Sequence, residues 1–382
     1  MVVVFVTHNY PRQAGDLPGA FLHPLAMALR DRGHDVRVVA PADQGAGGRD
    51  LLDGILVNRV RYSIPEFENL AYEGMMQQRA RSASGFTALL GLLVALKAGA
   101  REEARDAKEP VVFHGHWWFP GGFSLPGGRK DARLVTLHGS DGRLLDGRTG
   151  RWLGRRVLRR ARVVTAVSPE LAMLAEQVSG RKDVSAHVQP MPINSAERPW
   201  SSGGGGAYVI ARLVPQKRVE LAIAAVGELA NSGEPVVLTI VGTGPELSKL
   251  EAQAARVPAP GKVRFTGQLP QDEVARRLAG ADVMLFPAVR EGLGLSAIEA
   301  LMAGVPVLAC RDGGGVVSAL AKHGGGVIAE PNPRSLATAL RNLADNDQKD
   351  AARAAGEQWR EELAPARVAE RFEGWYREAL GA

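Results

Sequence analysis

Residues 287–306 read PAVREGLGLSAIEALMAGVP and follow the apolar run ADVMLF at 281–286. The run has the length and composition of a buried strand. The chain then turns through Gly292 and Gly294, and from about Leu295 the pattern becomes helical. Ile298, Leu301 and Met302 recur at i, i+3, i+4, and Ser296 is placed to cap the N-terminus. Strand, glycine turn and helix form a layout that holds phosphate. The first amides of the helix lack partners within it, its dipole favours an anion, and the glycines let backbone come close. Glu291 stands before the turn and Glu299 about one helical turn inside. Each can accept a hydrogen bond from a hydroxyl on one side of a diphosphate, as a sugar nucleotide would offer. An ordinary βα turn with two solvated glutamates is the alternative on spacing alone.

The 382 residues suit two domains with ample core, and 45% hydrophobic with 23% charged residues is the composition of an ordinary globular protein. Cys310 is the only cysteine, so no internal disulfide forms and a reducing, cytoplasmic setting is expected. The opening MVVVFVTHNY has no basic start and no cleavage site, and reads as a first strand. The longest apolar stretch, Gly85 to Leu96, is shorter than the ~20 residues that span a bilayer, so no membrane crossing is expected. A net charge of +6 is compatible with nucleic acid, anionic lipid or phosphorylated small molecules.

Along the chain, α/β alternation starts at once. Val2 to Val6 suits a parallel strand buried on both faces, and a loop with Gly15, Asp16 and Gly19 leads into a helical stripe of Phe21, Leu22, Leu25, Ala28 and Leu29. The G-x-G-x-x-G spacing is missing, which argues against a dinucleotide cofactor. Phe86 to Ala100 reads as an apolar helix in the core of the first domain, with membrane-surface contact as the alternative. The string VVFHGHWWFPGG from Val111 ends a strand in a loop bearing His114, His116, Trp117 and Trp118, and TLHGSD follows with His138, Gly139 and Asp141. His114-x-His116 with His138 and Asp141 could ligate a metal, as in a metal-dependent hydrolase; core packing is the plainer reading. The two tryptophans could stack on an acceptor or fill the core.

Arg148 to Arg162 forms an amphipathic basic helix. Its arginine face either meets only water or contacts anionic lipid or a phosphorylated acceptor at the inner face of a membrane. Ser201 to Gly206 reads SSGGGG, a loose segment that marks the domain boundary. Beyond it, the strand from Ala207 leads to Arg212 and Lys217, two cations able to converge on one diphosphate. Val236 to Val241 ends in GTGPE, and the strand from Val263 ends at Gly267 and Gln268.

The segment EGLGLSAIEALMAGVPVLA resembles the E-x7-E signature of retaining glycosyltransferases of family 4, which have the GT-B fold, an α/β fold of two Rossmann-like domains facing each other across a deep cleft. Arg212 and Lys217 match the family's R-x4-K motif, with Arg218 where the family usually has Gly, and HGHWW and HGSD resemble its acceptor-side loops. The resemblance implies an acceptor domain over 1–198, a donor domain over 199–362 and a last helix, 363–382, returning to the first domain. Donor binding would fall to Gly15, Gly19, Arg212, Lys217, Gly242, Gly267, Gln268, Glu291, Gly292, Leu293, Gly294, Leu295, Ser296 and Glu299. Acceptor binding would fall to His116, Trp117, Trp118, His138, Gly139 and Asp141. Glu291, His138, Arg212 and Lys217 would carry the chemistry. A nucleotide-diphosphate sugar would be the co-substrate, with no metal and no nucleic acid; the acceptor would be a glycan, a glycolipid or a small natural product. A sugar-nucleotide epimerase on the same fold is the other reading.

Overall fold

The computed structural model describes residues 1–72, 74–127, 132–180, 186–194, 199–258, 261–343 and 346–381. The chain forms two compact units, Met1–Ile193 with Leu363–Ala382, and Asn194–Glu362. The boundary expected at 198/199 adjoins residues 195–198, which lie outside the described residues.

In the first unit the strands are β1 (Val2–Val6), β2 (Asp35–Pro41), β3 (Gly48–Leu52), β4 (Ile55–Val60), β5 (Val111–His116), β6 (Ala132–Leu137), β7 (Val163–Ala166) and β8 (His187–Val188). Its helices are α1 (His23–Asp31), α2 (Met76–Arg79), α3 (Ala83–Ala104), α4 (Arg148–Leu158) and α5 (Pro169–Ser179). The sheet runs β3-β4-β2-β1-β5-β6-β7-β8, parallel except for the β3/β4 pair. All five residues of β1 are buried, as a central parallel strand covered on both faces requires. Serine caps set two helix starts: Ser82 accepts from the Gly85 amide and Ser168 from the Leu171 amide, the latter with Pro169 in the first turn.

The second unit continues with β9 (Ala207–Ile210), α6 (Val219–Asn231), β10 (Val237–Val241), α7 (Leu247–Ala254), β11 (Lys262–Gly267), α8 (Gln271–Leu278) and β12 (Val283–Phe286). Then come α9 (Leu295–Met302), β13 (Val307–Cys310), α10 (Gly315–His323), β14 (Gly326–Ala329), α11 (Pro333–Asn342) and α12 (Asn346–Glu362). Its sheet, β11-β10-β9-β12-β13-β14, is parallel throughout. Leu238 and Ile240 of β10, with Val283 and Leu285 of β12, join Ile223, Val226 and Leu229 of α6 in one core.

In both sheets the strand order reverses beside the first strand, at β1/β5 and at β9/β12. A crevice opens at the carboxyl ends of strands at such a point, which is where α/β sheets bind ligands. The candidate residues sit there: His116 at the end of β5, His138 after β6, Arg212 to Lys217 after β9, and Pro287 to Gly294 after β12.

The last helix, α13 (Pro365–Leu380), belongs to the first unit and packs on α1 and β6 through buried Val368, Phe372 and Tyr376. Two expectations need correction. The apolar helix is longer than 86–100, reaching 22 residues, and by length and composition alone it could cross a bilayer. It packs on β1, β2 and β4 through Ala88, Leu92, Leu96 and Ala100, but Phe86, Leu90 and Val94 on its other side are exposed, so the core reading holds for one face only. At α9, Ser296 does not cap: Gly294 occupies the N-cap in the left-handed conformation, φ 81°, and Ser296 lies inside the first turn.

Candidate active site

The second unit assembles three loops at the carboxyl ends of β9, β12 and β13. After β12 the chain passes through Arg290, φ 50°, to Gly294, where α9 begins. A Cβ on Gly294 would lie 2.7 Å from the Phe286 ring, so only glycine permits both the left-handed turn and the close approach. The Leu295 and Ser296 amides precede the first intrahelical bonds, which begin with the Ala297 amide donating to the Gly294 carbonyl at 2.9 Å.

Glu291 is held by backbone on both sides. Its amide donates to the Gly313 carbonyl and its carbonyl accepts from the Gly315 amide, each at 3.0 Å. Gly314, φ 76°, lies against it, and a Cβ there would meet the Glu291 carbonyl at 2.5 Å. The glycine run after β13 therefore makes room for the Glu291 backbone. The Glu291 side chain reaches Lys217, with Oε1 2.8 Å from Nζ, and the ammonium lies 5.5 Å from the centre of the Phe286 ring. The neighbours of Lys217 tie the β9 and β12 loops together. The Val289 amide donates to the Gln216 carbonyl at 3.0 Å, and Gln216 Nε2 donates back to the Val289 carbonyl at 3.1 Å.

Arg218 stands where the family usually has glycine, and the reason is visible in its backbone: φ 45°, ψ 41° is the left-handed region. Its side chain grips what surrounds it, donating from Nε to the Pro287 carbonyl at 2.9 Å and from both terminal nitrogens to Asp312 at 2.9 and 2.5 Å. Arg218 and Asp312 are supports that the sequence reading did not identify; the signal was an arginine at a position needing positive φ. Arg212 is exposed, and Glu299 and Leu295 are half-buried on α9, while Gly292 and Leu293 are buried in the turn. The Gly242 amide donates to the Gly267 carbonyl at 2.9 Å, joining the ends of β10 and β11, and Gln268 beside them is exposed.

The first unit gathers four imidazoles. His116 Nδ1 lies 3.1 Å from His138 Nε2, and the His8 ring packs 4.5 Å from that of Trp117, which lies 4.5 Å from that of His138. Burial, reinforced by neighbouring imidazoles, holds His114, His116 and His138 well below the usual histidine range, and burial takes His8 down to about 4. All four rings are neutral near pH 7. His116 Nε2 and His8 Nδ1 are buried with no hydrogen-bond partner among the described residues, two polar atoms available to a hydroxyl or a water. His8 was not singled out from the sequence, although it is the middle residue of the THN turn out of β1.

His114 is committed elsewhere. Its Nδ1 lies 2.8 Å from the Tyr376 hydroxyl on α13 and its Nε2 2.7 Å from the Thr136 hydroxyl, so it offers no nitrogen to a metal in this arrangement. Among the described residues no cluster of three His, Cys, Asp or Glu side chains is set to hold a metal ion.

Asp141 and Trp118 are buried, and their hydrogen bonds are made within the loops themselves. Asp141, 1% exposed, accepts from the amides of Trp118, His138 and Gly139 at 3.0–3.1 Å. Burial raises its carboxyl to about 6 against those bonds. It fixes the His138 loop onto the Trp118 turn. Trp118, 2% exposed, donates from Nε1 to the Asp141 carbonyl at 2.8 Å. Trp117, with φ 61°, is nearly buried and donates to Ser140 Oγ at 3.0 Å. Gly15 and Gly19 both have positive φ in the loop after β1, where Asp16 pairs with Arg12 at 2.7 Å.

Comparison with known proteins adds what geometry alone leaves general. The profile of the family described as Glycosyltransferase Family 4 matches residues 19–197, and that of Glycosyl transferases group 1 matches residues 195–361. The GDP-mannose-dependent alpha-(1-6)-phosphatidylinositol monomannoside mannosyltransferase of Mycolicibacterium smegmatis is 29% identical over 94% of this chain and 93% of its own length. The 2-deoxystreptamine glucosyltransferase of Streptomyces kanamyceticus is 34% identical over 38% of this chain, a match spanning only 37% of that protein. The structure of sucrose-phosphate synthase from Thermosynechococcus elongatus superposes with a TM-score of 0.79 over 100% of this chain and 99% of that one, at 20% identity. With two parallel-sheet α/β units and both profiles matched in sequence order, the chain belongs to the group 1, family 4 glycosyltransferases and has the GT-B fold.

Proposed function

We propose that the protein transfers a hexosyl group from a nucleotide-diphosphate sugar to an acceptor hydroxyl with retention of anomeric configuration. The observation that carries this reading is the Lys217–Glu291 pair beside the start of α9. A cation, a carboxylate and free helix amides meet at one strand end, which suits a diphosphate joined to a polyhydroxylated sugar.

In the reaction the bond from the anomeric carbon to the diphosphate oxygen breaks and negative charge grows on the leaving group. Lys217, Arg212 and the α9 amides stabilise that charge, a preorganised electrostatic contribution. Glu291 accepts hydrogen bonds from the transferred sugar, and Glu299 from the ribose. The acceptor oxygen bonds to the anomeric carbon from the face the diphosphate leaves, and the departing phosphate oxygen takes the acceptor proton. His138, held neutral, binds a hydroxyl of the sugar or acceptor as donor or acceptor of a hydrogen bond.

Thermal-shift titration with UDP, GDP, ADP and TDP identifies the donor base, and the matching sugar nucleotides are then assayed for transfer. The mannosyltransferase relative uses GDP-mannose by its name, which makes GDP-mannose the first donor to try. Stabilisation by none of the four nucleotides would sink the reading. Conversion of the sugar nucleotide without any acceptor would assign an epimerase instead. Since cationic side chains do the charge work, transfer is expected to survive exhaustive chelation; stoichiometric zinc bound through His116 would favour a hydrolase.

A further inference from the structure

Helix α4 has the sequence RTGRWLGRRVL, with no acidic residue in it, and Arg148, Arg155 and Arg156 are exposed. Acids three or four residues from these arginines would stabilise the helix, and like charges at that spacing destabilise it, so the helix keeps its unbalanced charge at a small cost. Neither Arg155 nor Arg156 has a carboxylate partner among the described residues. Between them and Arg148 stands Trp152, 59% exposed, with the Arg156 guanidinium 5.3 Å from its ring.

The fold puts other apolar side chains on the same side. In the first sheet β1 to β2 steps one way and β4 to β5, β6 to β7 and β7 to β8 step the other way. Right-handed crossovers therefore place α1 on one face and α3, α4 and α5 together on the opposite face. The contacts agree: α1 packs with α13, α4 packs with α5, and the turn Gly122–Ser124 packs against α3 between them. This one layer exposes Phe86, Leu90 and Val94 of α3, Phe123 of that turn, Trp152 of α4 and Met173 of α5. Val94 reaches 70% exposure, and the α3 residues recur at i, i+4, i+8, forming a continuous stripe. In the second unit the only large hydrophobic side chain so exposed among the described residues is Trp200.

We propose that the α3–α4–α5 layer of the first unit is a docking surface for an anionic phospholipid bilayer. Arginines meet the phosphate headgroups, while Trp152 and the α3 stripe enter the boundary between headgroup and acyl chain. Neither part suffices alone: a polybasic helix gives only a screened attraction, and a short apolar stripe buries little area. Together they supply the two signals that stable peripheral binding requires. Nucleic acid would use the arginines but leave the apolar stripe in water, so the bilayer accounts for more of the surface. The inference stands on this surface and is independent of the reaction.

The full chain is tested by co-sedimentation with vesicles of phosphatidylcholine alone or mixed with phosphatidylglycerol. Binding is expected only to the mixed vesicles and is expected to weaken as salt is raised. Arg155→Ala with Arg156→Ala should lower partitioning about thirtyfold, about fivefold for each charge. Val94→Asp should lower it independently, and thermal melting and nucleotide binding confirm that each variant is folded. Equal binding to both vesicle types, no binding to either, no response to both sets of substitutions, or retention by RNA or duplex DNA without vesicle binding would each overturn the proposal.

Discussion

Lys217 Nζ and Glu291 Oε1 are 2.8 Å apart, each on a half-buried side chain at the carboxyl end of a neighbouring strand, β9 and β12. The pair brings together a group suited to the leaving diphosphate and a group suited to the sugar. Lys217→Ala and Glu291→Ala are each expected to lower kcat/KM at least tenfold, about 1.4 kcal/mol of barrier, with the fold intact by circular dichroism. The double variant should lose less than the product of the two, because each single change also strands the partner charge. Wild-type rates in the folded single variants would remove both residues from the mechanism.

Arg218 holds a left-handed backbone and pays for it through Asp312 and the Pro287 carbonyl. Arg218→Ala keeps the strain and loses those bonds, whereas Arg218→Gly loses the bonds and relieves the strain. Stability by denaturant unfolding should rank wild type above Arg218→Gly, and Arg218→Gly above Arg218→Ala by about 1 kcal/mol. An Ala variant as stable as the Gly variant would contradict the strained conformation.

The imidazole cluster makes the first unit acid-sensitive. In the folded state His8, His114, His116 and His138 resist protonation, whereas in the unfolded chain they bind protons near pH 6.5. Below that pH the unfolded state holds more protons, so stability falls as pH falls from about 6.5. Each histidine contributes up to about 1.4 kcal/mol per pH unit until its folded pKa is reached. Asp141 acts in the opposite direction: its folded pKa near 6 lies above the unfolded value, so it favours the fold at low pH and loses that contribution as pH rises through about 6. Four histidines outweigh one aspartate. Melting curves across this range should show the decline, and His138→Gln should flatten it; an unchanged slope in that variant would exclude His138 as a source.

Tyr376 ties the last helix to the sheet through His114 Nδ1, and its ring is fully buried. Tyr376→Phe leaves that imidazole nitrogen without its partner and should destabilise the first unit by about 1–3 kcal/mol. Nucleotide binding, assigned to the second unit, should not change. Unchanged stability in this variant would mean that the Tyr376–His114 bond makes no net contribution to the fold.

Much of the fold and of the candidate site in the second unit was legible because it is encoded locally. Buried parallel strands read as apolar runs, and β12, its glycine turn and α9 follow one another in sequence, so Glu291 and Glu299 could be placed from spacing and family resemblance. Helix ends were less legible: Ser296 has the right side chain for a cap, yet the left-handed turn required beside Phe286 moved the N-cap to Gly294. Arg212 and Lys217 could be named as cations, but nothing in the linear string joins Lys217 to Glu291 or Arg218 to Asp312. Those contacts exist because β9 and β12 are adjacent in the sheet while distant in sequence.

The histidine and tryptophan loops of the first unit show the same division. The sequence alone determined the histidines and tryptophans at strand ends, the basic helix and the single cysteine. Tertiary structure alone decided that Asp141 anchors a loop, that Trp118 is core, that His114 serves the last helix, and that α3 leaves Phe86, Leu90 and Val94 uncovered on the sheet face it shares with α4. Composition and periodicity report which side chains can be buried or charged. Burial, hydrogen-bond partners and the sharing of one face depend on which distant elements the sheet order and crossover handedness bring together, so they emerged only when the chain was folded.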